Sequence, residues 1–99
     1  MSEVVEIKTL LEERGKRYGK FTGHAVITQD LKAVMQQFDP LNDGRTPWHH
    51  MQPDQREALE MIAHNIGRIL NGDPDYADSW DDIAGYATLV GDRLRGVYR

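Results

Sequence analysis

Between Pro53 and the pair Asn71-Gly72, apolar residues fall at Leu59, Ile62, Ile66, Ile69 and Leu70. Steps of three and four trace one face of an α-helix, and no other stretch of the chain shows the repeat so clearly. Pro53 suits the first helical turn, where its missing N–H costs nothing, and acidic Asp54 follows it. Gly72 suits the stop, because glycine can take the left-handed conformation beyond the last turn. Three further stripes recur. Val4, Ile7, Leu10, Leu11 and Arg14 mark a helix from Glu3 to about Arg17, and Ile27, Leu31, Val34, Met35 and Phe38 mark one from Thr22 or Gly23 that stops before Pro40. A last helix starts near Asp78 or Ser79, carries Trp80, Ile83, Ala84, Ala87, Val90 and Leu94 inward, and runs almost to the C-terminus. The segment "DPLNDGRTPWHHMQ" reads as a loop, with turn signals at Asp-Pro, Asp-Gly and Thr-Pro, and with Trp48 anchoring it on the core. Neither an alternating strand pattern nor an internal repeat is visible. The expected fold class is all-α, a compact bundle of about four helices in a single domain over residues 1–99.

A chain of 99 residues builds only a modest core, so a dimer or higher homo-oligomer is expected. Twelve basic against 16 acidic residues give a formal charge of −4, which argues against wrapping a nucleic-acid polymer. Small anionic ligands remain open where basic residues cluster. The absence of cysteine removes disulfides, thiolate-zinc sites and cysteine nucleophiles together. Glu3 and Glu6 break any signal-like apolar run at the start, and no segment is apolar for long enough to span a bilayer, so a cytoplasmic protein without a membrane partner is expected.

The chemistry-bearing residues are mostly acidic. Glu57, Glu60 and His64 sit at offsets of three and four on the third expected helix, with Arg68 four further on; Asp78, Asp82 and Tyr86 repeat that spacing on the next. If the two faces meet, their carboxylates and imidazole converge. Hard oxygen donors of that kind favour magnesium or manganese. Two readings stay open for each acid: Ser79 and Asp82 resemble a capping box, and Glu57 and Glu60 lie early in their helix, where acids are favourable anyway. Glu60 with Asp78 and Asp82 is the expected ligand set, with Glu57 and His64 in support. In "RGKRYGKF", Arg14, Lys16, Arg17 and Lys20 cluster where the first helix ends, and Gly15 and Gly19 would let a bound anion approach the backbone. Compensation of the helix macrodipole explains the same charges equally.

The segment "EALEMIAHNIGRILNGDPDYADSWDDIAGYATLV", with "LLEERGKRYGKF" before it, resembles a family of short phage- and prophage-encoded domains of unassigned function. These in turn resemble the MazG-like all-α nucleoside triphosphate pyrophosphohydrolases. In that group an E-x-x-E and an E-x-x-D on successive helices hold magnesium against the substrate phosphates. Glu57-x-x-Glu60 matches the first motif; the second survives as Asp75-x-x-Asp78 or as Asp78 with Asp82. Asn65 stands where related domains often carry lysine. The resemblance implies a phage protein in a bacterial host that hydrolyses a nucleotide to its monophosphate and pyrophosphate, using Mg2+ or Mn2+. Glu57 or Glu60 would act as catalytic base, Arg68, Arg17, Lys16 and Lys20 would bind phosphate, and Trp48, Tyr86 or Tyr18 would stack on the base. The alternative is a non-catalytic phage accessory protein that binds a host protein or a nucleotide.

Overall fold

The computed structural model describes residues 3–99, with side chains from Glu6 onward, so the place of the Val4 side chain lies outside the described residues. Five helices follow one another: α1 Glu3–Tyr18, α2 Phe21–Gln37, α3 Pro47–His50, α4 Pro53–Asn71 and α5 Ala77–Leu94. No strand occurs among the described residues. The all-α expectation holds. The loop expected before Pro53 contains a single helical turn, α3, because Pro47 starts it and Trp48 buries its ring, 6% exposed. None of the described helices is long and apolar enough to cross a membrane.

The central element is α4, packed against α2 on one side and α5 on the other, with α1 meeting its C-terminal half. Its start follows the expectation: Pro53 occupies the first turn, and the Gln52 N–H donates to Gln55 Oε1 at 2.9 Å. Its fully buried positions are Ala58, Ala63, Asn65 and Gly67, whereas Ile62, Ile66 and Ile69 are half-buried and Leu70 is 68% exposed. A helix flanked on two sides is approached most closely where its side chains are small. Gly67 shows this directly, since a Cβ there would meet His24 Nδ1 and Thr28 Cγ2 at 2.8 Å.

The stop of α4 works differently from the sequence expectation. Gly72 has φ −129°, outside the left-handed region, and its N–H donates to Arg68 O at 3.0 Å. Glycine is required there by packing: a Cβ would collide with Arg17 O and the Tyr18 backbone. The α1–α2 turn is thereby pinned onto α4. Asn71 Nδ2 donates to Tyr18 O and Lys20 O, each at 2.8 Å, and Asp73 N–H donates to Arg17 O at 2.6 Å.

The inward register of α5 agrees in part. Ile83 and Val90 are half-buried as expected, beside buried Ser79 and half-buried Tyr86, while Trp80 and Leu94 are 54% and 61% exposed and Ala84 and Ala87 face outward. Ser79 does not cap the helix, because α5 already begins at Ala77. The buried apolar set is small: Trp48, Ala58 and Ala63. The molecule is elongated, 54 × 34 × 27 Å, with a radius of gyration of 16.6 Å. A compact domain of this length has a radius of about 13 Å.

Candidate functional site

The pinned α1–α2 turn forms one wall of a cleft of about 630 Å3, and α2 and α4 supply the rest. Arg14, Lys20 and Arg68 line it together with Tyr18, Phe21, His24 and His64. No Asp or Glu lines it among the described residues, although the chain carries 16 of them. Three fixed cations therefore face one space in a protein of net charge −4. Such a concentration of one sign in a concave wall raises the local potential for anions. Arg68 holds its guanidinium 4.3 Å from the centroid of the Tyr18 ring, which orients its donors while leaving them free for a ligand. Phe21, 78% exposed, offers an aromatic face at the rim.

At the floor, His24 Nε2 and His64 Nδ1 share a hydrogen bond of 3.1 Å, with the rings edge to face at 83°. Such a bond needs a single proton between the two nitrogens; two imidazolium rings would set N–H against N–H. Both histidines are held below the ordinary 6.5, first by burial and next by the charge of Arg68. His24 also rests against Gly67, whose backbone pulls the other way, but its Nδ1 forms no hydrogen bond of good geometry among the described residues. For His64 the charges of His24 and Lys32 add to the lowering. The pair is neutral near pH 7, and its proton affinity rises when a negative ligand offsets Arg68.

Of the expected phosphate-binding residues, Arg68 and Lys20 line the cleft. Lys16 and Arg17 do not. The Arg17 guanidinium lies over the Tyr76 ring at 4.8 Å and donates to its hydroxyl at 3.2 Å. Gly15 and Gly19 both line the cleft; Gly15 has open space where a Cβ would point, and Gly19, at φ 75°, also accommodates Asn71.

Each expected metal ligand has its own surroundings. Asp78 accepts from the Tyr76 hydroxyl at 2.9 Å, Asp82 is exposed, Glu60 is half-buried on α4, and His64 is engaged with His24. Glu57 lines a separate hollow of about 300 Å3 with Tyr86, beside the Asp54–Arg93 pair. Among the described residues, no three His, Asp or Glu side chains are grouped to hold a metal ion. Of the expected stacking residues, Tyr18 lines the cleft, Tyr86 lines the other hollow, and Trp48 is buried in the core. Asn65 is 1% exposed, donates to Met61 O at 3.0 Å and does not line the cleft.

Sequence reasoning missed His24 and Phe21. His24 and Thr28, one turn apart, are the buried residues of α2, and no apolar repeat in the sequence marks them. No family model matches the chain, and no curated protein or solved structure shows significant similarity to it.

Proposed function

We propose that this protein binds a small phosphate-bearing molecule of the nucleotide class in the cleft between α1, α2 and α4. The observation that carries the reading is the charge of the lining, Arg14, Lys20 and Arg68 with no carboxylate among the described residues. Arg68 would take phosphate oxygens through its fork of donors, and Lys20 and Arg14 would neutralise the remaining charge. Tyr18 and Phe21 supply ring faces for a base. A volume of about 630 Å3 lies within the range that small-ligand sites occupy.

Hydrolysis of the bound nucleotide is the second reading. It rests on the resemblance and on the place of Glu60, half-buried and one turn before His64 on α4. The test is calorimetric titration of nucleoside triphosphates, nucleosides and pyrophosphate. Binding of the phosphorylated compounds that Arg68→Ala abolishes supports the cleft; equal binding of nucleosides, or none of any compound, removes it. Release of pyrophosphate in the same mixtures, with and without Mg2+, separates turnover from binding.

A further inference from the structure

A second copy of this chain covers the outer face of α5, we infer, in an antiparallel pairing about a two-fold axis at Ala87. The first observation is missing cover. The chain exposes 7331 Å2, against about 5,700 Å2 for a compact monomer of 11.3 kDa. The excess of roughly 1,600 Å2 is about twice what each partner gives up in an interface of standard size. Few apolar side chains are fully buried, and Trp80 and Leu94 are among the large ones left exposed.

The second observation is the pattern on α5. Trp80, Ala84, Ala87, Gly91 and Leu94 follow steps of four and three, the repeat of a helix–helix seam. This stripe is one residue, about 100° of helix rotation, away from the Ser79, Ile83, Tyr86 and Val90 face turned toward the bundle. Trp80, Ala84, Ala87 and Leu94 are all exposed. Large residues stand at the two ends and small ones between, so an antiparallel copy sets Trp80 of one chain beside Leu94 of the other and Ala87 beside Ala87. That is the self-complementarity an isologous interface requires.

The third observation is charge. Asp81, Thr88 and Arg95 each follow a seam residue and so share one flank of it. In an antiparallel pair the same flanks meet, bringing Asp81 of each copy opposite Arg95 of the other. Asp81 is exposed and has no ion-pair partner among the described residues. The Arg95 guanidinium, two-thirds exposed, already lies across Gly91 at the seam while paired with Asp92 at 3.0 Å. A parallel pair would line Trp80 up with Trp80 and leave the Asp81–Arg95 match unmade.

The pairing stands apart from the ligand reading, because α5 contributes no residue to the cleft. Light scattering on the full chain should give twice 11.3 kDa. Ala87→Glu, which sets two carboxylates face to face at the axis, should raise the dissociation constant at least ~100-fold. Since the chain has no cysteine, Ala87→Cys should cross-link as a dimer under mild oxidation, whereas Asp82→Cys, on the far side of α5, should not. Asp81→Arg should weaken the pair, and adding Arg95→Asp should restore it. A monomeric mass at high micromolar concentration would overturn the inference, as would equal cross-linking at positions 82 and 87 or an Ala87→Glu dimer of unchanged affinity.

Discussion

Arg68 on α4 holds its guanidinium 4.3 Å from the ring of Tyr18 on α1, and the contact joins the cation best placed for a ligand to the turn that shapes the cleft. Arg68→Ala should therefore weaken nucleotide binding by at least about tenfold while costing about 1 kcal/mol or less of stability. Arg68→Lys keeps the charge but loses the planar fork, and should recover only part of the affinity. Calorimetry for binding and urea unfolding for stability separate the two effects. Equal losses in both would make Arg68 a structural residue only.

Asn71 is the opposite case, with its two hydrogen bonds spent inside the protein on Tyr18 O and Lys20 O. Asn71→Ala should lower stability by about 2 kcal/mol, the sum of two modest hydrogen bonds. Nucleotide affinity should fall as well, because Lys20 and Tyr18 lose their fixed positions. A variant with unchanged urea midpoint would show that the turn is held by other contacts.

The aromatic ring of Trp48 anchors α3 and the long connection around it, at 6% exposure. Trp48→Ala should cost about 3–5 kcal/mol, enough to unfold much of a domain this small. Trp48→Phe should cost distinctly less. If Trp48→Ala melted like the parent protein, the ring would not be a core residue.

Acid should destabilise the fold before the carboxylates titrate. His24 and His64 are both held below 6.5 in the folded state, so the unfolded chain binds more protons once the pH drops through that value. The contribution of the pair is complete above 6.5 and is lost as the pH falls through the lowered folded values. The urea midpoint should therefore fall from about pH 7.5 to about pH 5.5, and His24→Gln should flatten that dependence. Asp54 and Asp92, lowered by Arg93 and by Arg95 with Arg99, lose their contributions only in stronger acid. A midpoint that rises on acidification would contradict the neutral pair.

The helices were legible because their apolar repeats are long, but the direction each one faces was less so. On α5 two stripes with the same repeat lie one residue apart, Ser79, Ile83, Tyr86 and Val90 on one and Trp80, Ala84, Ala87 and Leu94 on the other. Hydropathy does not separate them, since each carries large apolar residues; the bundle takes the first. Lys20 and Arg68 were legible in the site as basic residues near helix ends. The His24–His64 pair was hidden, because the two residues are 40 positions apart and each alone reads as a packed or surface histidine. The glycines were legible only in part: Gly72 ends α4 as expected, and Gly19 lines the cleft, but both also make close contacts with distant backbone that the sequence does not show.

The most direct test of the cleft is an amide-resolved NMR titration with a nucleoside triphosphate. Saturable shifts are expected at Gly15, Gly19, Lys20, Thr22 and Arg68, and they should vanish in Arg68→Ala. Shifts confined to Glu57, Tyr86 and Arg93, or none at all, would contradict the proposed site.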